Sequence, residues 1–469
     1  MRKIAFDIVQ RSPSWAWISP NHPEFERLRK ELIYKKVRWE PAWWGKKRVW
    51  RKKIIKVSMI SERGWFLSGL LGEIEKRYPY LKIRKMKLPY KLQKINLNGI
   101  QLRSYQNEAI HYSLEHQRGI IHIPTGGGKT IIAAGIIASV QDFRCLFIVH
   151  TRELLHQQYL FFSRFFPTRI WGGGQVDYYP ATVTIATVQT LSRWDENEIK
   201  NLREHFDGIM VDEAHHSHSD TYRRILIKSE IPFRIGLTAT PHTLWTTEEY
   251  MKACGVIGPI IYEAKVQQLT QQSYLSQPIV LMVKTRCPVY GSWYWVRREG
   301  IIENEQRNKT LAHLVELLRG RKILISVDTV EQGKILASLV PGARLVQGKT
   351  PRRIQHLLRQ ALNHQSAIVI ATTVWKEGID IPQLDVLVVA GGGRSRISVV
   401  QRAGRLLRPK DTNPLLIDCM DYGNDYLASH SQQRFQIYRA LGWNVIVGNE
   451  KEIERKILQL KEKRDAKIL

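Results

Sequence analysis

The chain has 469 residues, too many for one ordinary hydrophobic core, and its 43% hydrophobic content suffices to fill two or three. Lys+Arg 72 against Asp+Glu 43 leaves a formal charge of +29, an excess that implies a polyanionic partner, nucleic acid before an anionic membrane. The four cysteines form no CxxC pair, and no signal-peptide core or run approaching ~18 apolar residues is evident, which argues against a disulfide framework, a zinc finger or a membrane span. The expectation is a soluble intracellular protein of the cytoplasm.

Residues 1–100 hold 25 Lys+Arg, 8 Asp+Glu and seven of the 14 tryptophans. Strand pieces are predicted around "KIAFDIV" and "WAWIS", then a helix from about Pro23 to Tyr34. A basic strand "RVWRKKIIKVSMI", a helix near "FLSGLLGEIEKRY" and a short strand "LKIRKMK" follow. These make a small basic α+β domain over residues 1–94. Trp15, Trp17 and Trp65 are expected to serve its core, whereas Trp43, Trp44 and Trp50, amid cations, are expected at the surface.

Beyond it, short apolar strand runs alternate with helix-length stretches, the signature of parallel sheets with crossover helices. "GIIHIP", "RCLFIVH", "VTIAT", "GIMVDE" and "RIGLTAT" belong to one α/β lobe, residues 95–265. "KILISV", "ARLVQG", "AIVIAT" and "VLVVAG" belong to a second, residues 266–445, joined to the first through the glutamine-rich stretch 266–278. Residues 446–469 read as one exposed charged helix.

In "GIIHIPTGGGKT" a strand runs into a glycine-rich turn and then an apolar helix. Backbone N–H groups of Gly126, Gly127 and Gly128, with Pro124 and Thr125 opening the turn, can curl around phosphate at a helix N-terminus. Lys129 suits the β/γ-phosphates and Thr130 suits Mg²⁺. The strict motif asks for glycine where this chain has Ile123. "VDEAHHSHSD" crowds three histidines and three carboxylates and invites a metal-ligand reading. Two consecutive acids ending a buried strand instead suit nucleotide hydrolysis, with Asp212 on the Mg²⁺ water shell and Glu213 polarising the attacking water. His216 and His218 are then expected at the surface.

"PTGGGKT", "VDEAHH", "GLTATP", "ATTVWKEGIDIP" and "QRAGRLLRP" occur in that order. Together they resemble a superfamily-two helicase of the DEAH-box type over about residues 96–445. The resemblance implies an α/β fold of two RecA-like parallel-sheet lobes behind the N-terminal domain, and ATP hydrolysis with Mg²⁺ coupled to nucleic-acid unwinding. It implies that Gln106 reads the adenine edge with Arg103 nearby, and that Thr151, Arg152, Thr187 and Thr372 contact the phosphodiester backbone. His215, Thr238 and Thr240 would couple hydrolysis to lobe movement. Gly378 and Asp380 would lie near the ribose, and Gln401, Arg405 and Arg408 would act at the γ-phosphate.

Within "VRWEPAWWGKKRVWRKKIIK", Trp43, Trp44, Lys46, Lys47 and Arg48 are candidate nucleic-acid contacts, because aromatic faces and cations interleave. A second aromatic cluster, "VYGSWYWVRR" (Tyr290 to Arg298), reads equally as a strand-splitting hairpin or a packed insertion. A small basic domain before a two-lobe motor resembles the phage UvsW type of recombination helicase. That resemblance implies action on forked or branched DNA: fork regression, Holliday-junction branch migration and unwinding in recombination, repair or replication; a monomer is the expected oligomeric state. An RNA helicase and a duplex-translocating restriction subunit are the alternatives.

Overall fold

The N-terminal region contributes six strands: β1 (Ile8–Gln10), β2 (Trp15–Ile18), β3 (Ile33–Trp44), β4 (Lys47–Ser58), β5 (Trp65–Leu67) and β6 (Ile83–Arg84). In the computed structural model, residues 6–468 are described except 45–46, 178, 241–244, 373–374, 376–380, 382, 394–403 and 408–412. Four strands form a sheet in the order β5-β2-β1-β6. Successive side chains on a strand face opposite ways. Ile8, Ala16, Ile18 and Phe66 therefore share the inward face and are buried with Phe25, Leu28 and Ile74 of two short helices. Trp15 and Trp65 emerge exposed, so they do not fill the core expected of them.

Among the described residues β3 and β4 pair only with each other, along twelve residues each. At ~3.4 Å per residue the ribbon is about 40 Å long. Sequence reading carries the preceding helix to Tyr34, but it ends at Glu31 and the chain continues as strand. Ile33, Tyr34, Val37 and Trp39 favour a pleated surface, and Pro41 could not sit inside a helix. The cross-strand register sets Val37, Trp39, Pro41 and Trp43 on one face with Ile54 and Trp50. Trp43 is 73% exposed, Trp50 61% and Trp39 59%.

The first large sheet contains β7 (Arg118–His122), β8 (Cys145–Val149), β9 (Thr168–Gly172), β10 (Gln175–Val176), β11 (Val183–Thr187), β12 (Gly208–Asp212), β13 (Phe233–Thr238) and β14 (Ile260–Glu263). Its order is β10-β9-β11-β8-β12-β13-β7-β14, and every pairing is parallel except β9 with β10. Every residue of β8, β11, β12 and β13 is buried. Covering on both faces explains why these strands read as continuous apolar runs.

The second sheet contains β15 (Ile279–Arg286), β16 (Lys322–Ser326), β17 (Arg344–Val346), β18 (Ala367–Ala371), β19 (Val386–Val389), β20 (Leu415–Tyr422) and β21 (Asn444–Gly448). All its pairings are parallel, in the order β17-β18-β16-β19-β20-β15-β21. The C-terminal helix Glu450–Ile468 is not the free helix its charge suggests. Ile453 and Ile457, one turn apart, are fully buried in this lobe's core.

The chain divides into two compact units, residues 1–123 with 128–264, and residues 124–127 with 265–469. The N-terminal region lies within the first unit and shares its interior, since Met251 and Cys254 of the helix Thr247–Val256 belong to the same core cluster as Ile8 and Phe66. Two arginines seal this joint. Arg118 donates to Ser68 Oγ at 2.7 Å and to the Ile257 and Val256 carbonyls at 2.7 and 2.8 Å. Buried Arg234 donates to Ser14 Oγ at 2.8 Å and to the Ile231 carbonyl at 2.6 Å. Burial pushes the Arg118 pKa down to about 10 and that of Arg234 well below its ordinary value. A Cβ on Gly69 would stand 2.1 Å from the Cys254 carbonyl oxygen, so only glycine lets the two regions approach this closely. No helix among the described residues is long and apolar enough to cross a membrane.

Candidate active site

β7 ends at His122, and the turn that follows uses two left-handed glycines, Gly126 (φ 84°) and Gly128 (φ 81°), before the helix Lys129–Ala138. Gly128 caps that helix at a left-handed torsion that favours glycine. The helix N-terminus offers unpaired N–H groups and a positive dipole end, an arrangement fitted to an anion.

Lys129 opens the helix and its Nζ lies 3.3 Å from Glu213 Oε1. Glu213 Oε2 is 3.4 Å from His215 Nδ1, which is also 3.4 Å from Thr238 Oγ1. Thr238 Oγ1 in turn accepts the Thr240 N–H at 3.1 Å. A continuous polar chain thus runs from Lys129 to the tip of β13, all within the first unit. Glu213 holds a left-handed backbone (φ 51°, ψ 55°) that a non-glycine residue adopts at a cost of roughly 1–3 kcal/mol. This turn lets two consecutive acids face different partners. Asp212 accepts the Glu213 N–H at 3.0 Å and Gln158 Nε2 at 3.4 Å.

The pair titrates as a coupled unit. Burial, reinforced by the Glu213 charge, raises the Asp212 pKa above the usual carboxylate range. Burial works the same way on Glu213, but Lys129 outweighs it and holds that carboxyl low. Buried Thr240 Oγ1 and Gln158 Oε1 have no hydrogen-bond partner among the described residues. Hard oxygen donors at Asp212 and Thr130, a lysine and a glycine-lined helix terminus form the donor set that a magnesium-bound triphosphate requires, so the residues present fit that group.

Several expected contacts serve the fold in this structure. Gln106 is buried, and its Oε1 accepts the Arg103 N–H at 3.0 Å, capping the helix Ser104–His116. Thr151 caps Arg152–Phe162 by accepting the Leu154 N–H, with Arg152 beginning the helix. Thr187 is buried, caps Val188–Leu191 and lies 2.9 Å from Thr190 Oγ1. Thr372 is buried at the end of β18, its N–H bonded to the Val346 carbonyl. Lys46, Gly378, Asp380, Gln401 and Arg408 lie outside the described residues, as do the side chains of Trp44, Lys47, Arg48 and Arg405.

His216 is not the surface residue expected. Its ring stacks on His150 (centroids 4.3 Å, planes 13° apart) and lies 4.1 Å from that of His215. His218 is half-buried, its Nδ1 2.6 Å from the His215 carbonyl oxygen. Sequence reading also misses Gln158, whose signal is a polar residue on the inward face otherwise formed by Leu154, Leu155 and Phe162. Burial lowers the His215 pKa to about 4 and that of His216 to about 3. Both rings are neutral when folded, whereas in the unfolded chain they protonate near 6.5. Stability is therefore expected to fall as pH drops from about 6.5 to 4, because the unfolded state binds protons the native state refuses. Urea midpoints measured across that window check this, and His216→Gln should make the dependence shallower by up to roughly one proton.

Comparison with known proteins places this geometry in context. The family profile "Type III restriction enzyme, res subunit" matches residues 99–243, and "Helicase conserved C-terminal domain" matches residues 306–410. The chain is 26% identical over 395 residues to the "DNA 3'-5' translocase XPB2" of Sulfurisphaera tokodaii, covering 74% of this chain and 87% of that protein. It spans only 51–63% of the length of the three relatives that follow. Among solved structures, the restriction-modification enzyme LlaBIII bound to DNA superposes with a TM-score of 0.56 at 16% identity, covering 79% of this chain and 33% of that one. Phage T4 UvsW aligns over 95% of this chain and 99% of its own at 20% identity, but its TM-score of 0.43 carries no argument about function.

Proposed function

From the premise that the chain is an ATP-dependent helicase of superfamily two, we propose that it is a DEAH-type DNA translocase acting on forked and branched DNA. Fork regression, branch migration and unwinding in recombination, repair or replication are the tasks assigned to it, with ATP and Mg²⁺ as cofactors and a monomer as the working form. The observation that carries the proposal is the polar chain from Lys129 through Glu213 and His215 to Thr238. The translocase activity named for the Sulfurisphaera relative supports DNA as the track. The ribbon supports a polyanionic partner, because residues 33–58 hold ten Lys+Arg and one acid.

Bound magnesium would neutralise charge on the phosphates, held by Thr130 directly and Asp212 through water. Lys129 exchanges Glu213 for a phosphate oxygen. Glu213, relieved of its cation, becomes a better base for orienting and deprotonating water. His215 reports that change of partner to Thr238 and Thr240. Gln106 and Arg103 hold the base, and Gly378 and Asp380 the ribose. Gln401, Arg405 and Arg408 act on the γ-phosphate, where an arginine finger contributes ~10³–10⁵ in rate. Thr151, Arg152, Thr187 and Thr372 track the nucleic-acid backbone, and the ribbon from Trp43 to Arg48 adds phosphate and base contacts.

The deciding experiment measures ATP turnover of the purified chain on forks, four-way junctions, linear duplex and RNA duplex, with product analysis. Branched DNA is expected to stimulate most and to be remodelled, whereas strongest stimulation by RNA duplex overturns the DNA assignment. Glu213→Gln is expected to slow hydrolysis by roughly 10²–10⁴, the usual worth of a general base, while retaining nucleotide. Filter binding with labelled ATP reads that retention.

A further inference from the structure

We infer that the second unit carries a base-stacking platform, built from Tyr294 and Trp295 with Tyr290 beside them, that takes unpaired nucleobases of a single strand. The inference rests on the nucleic-acid reading above and deepens it. The segment after β15 is neither a hairpin nor a fully packed insertion. It is a short helix, Trp293–Arg297, continued by a wide π-type turn, Arg298–Ile302. Val296 fastens the helix into a small core with Cys287, Ile301 and Leu427. Trp293 adds a second anchor, its ring 4.9 Å from that of His430. The Asn424 side chain ties the loop down by donating to the Val289 carbonyl at 2.7 Å.

With the helix held on that side, its remaining aromatic rings face outward. Tyr290 is 82% exposed, Tyr294 61% and Trp295 49%, and Tyr422 and Tyr426 are exposed on the adjoining elements. Every large apolar side chain exposed in this neighbourhood, among the described residues of 279–302 and 413–440, is aromatic. Aliphatic side chains, which would suit a protein partner as well, are absent from that exposed set. Arg298 is fixed next to the rings, 2.7 Å from Glu303 Oε1 and 3.4 Å from the Tyr294 hydroxyl. Arg297 and Arg286 supply further positive charge in the same segment. Rigid π-faces with guanidinium neighbours suit bases and phosphates, and a base has a π-face whatever its identity.

Position in the sheet points the same way. β15 and β20 are parallel, so Arg286 and Tyr422 end at the same carboxyl edge as Thr372 after β18 and Ala390 after β19. Ligands of open parallel sheets gather at that edge. β15 is four strands from β18 in the sheet order, which at ~4.8 Å per strand sets the platform roughly 19 Å from Thr372 along it.

The test uses the full chain, with Tyr294→Ala/Trp295→Ala and the conservative Tyr294→Phe/Trp295→Phe. Fluorescence anisotropy reads affinity for a labelled oligothymidylate and for blunt duplex, and thermal melting confirms that both variants fold. The alanine pair is expected to weaken oligothymidylate binding by about tenfold to a hundredfold and duplex binding much less, with the phenylalanine pair restoring it. Unchanged oligothymidylate affinity, or an equal loss on duplex, overturns the platform. So does a self-association in sedimentation that the alanine pair abolishes, because the patch would then bind a second copy. If the parent chain binds neither nucleic acid, the underlying nucleic-acid reading fails instead of the platform.

Discussion

Lys129→Ala is expected to reduce ATP turnover by at least roughly 10²–10³-fold, the loss that follows when one electrostatic stabiliser is removed from a pre-organised site, with and without DNA. Two effects combine. The developing phosphate charge loses its point cation, and Glu213 loses the partner 3.3 Å away that keeps it ionised against burial. Once unpaired, Glu213 should take up a proton more readily, so residual turnover is expected to rise with pH more steeply than in the parent. DNA binding should survive, because the ribbon lies on other elements. Phosphate release across a pH series, with DNA affinity measured in parallel, checks both halves. Turnover equal to the parent's would remove the motor assignment.

Arg307→Met carries the largest expected cost to folding. Arg307 is buried in the second unit, with Nε 2.8 Å from Asp421 Oδ1 and Nη1 2.6 Å from the Ala390 carbonyl. Asp421 also lies 3.7 Å from Arg434, whose Nε is 2.8 Å from Asp418 Oδ2. Burial opposes the charges of Arg307, Asp421 and Arg434, and their partners hold these three ionised. Removing one arginine leaves a buried carboxylate short of compensation, at about 3–5 kcal/mol. Denaturant unfolding of Arg307→Met against the double variant with Asp421→Asn measures this, and the double variant is expected to recover part of the loss.

How much of this is legible in the sequence depends on how local the cause is. β7, β8, β12 and β13 are readable because strands covered on both faces must be apolar throughout. The glycine turn is readable because left-handed torsions at Gly126 and Gly128 favour residues without a Cβ. β3 is missed because Lys35, Lys36, Arg38 and Pro41 interrupt the apolar pattern of a strand that pairs with β4. Gln158 beside Asp212 and the stacking of His150 on His216 are missed because crossover connections bring together residues distant in the chain. The burial of Ile453 and Ile457 is similarly hidden, since two isoleucines amid charges signal an inner face only when a sheet stands opposite them.

The joint sealed by Arg118 and Arg234 makes removal of residues 1–94 an unsuitable probe of the ribbon, because truncation would strip the cover from Met251 and Cys254. Substituting the exposed tryptophans leaves that seam intact. The joint also ties the base of the ribbon to the first unit, because Tyr34 and Met59 pack against the same core, so that base travels with the unit as an oar's collar travels with its hull.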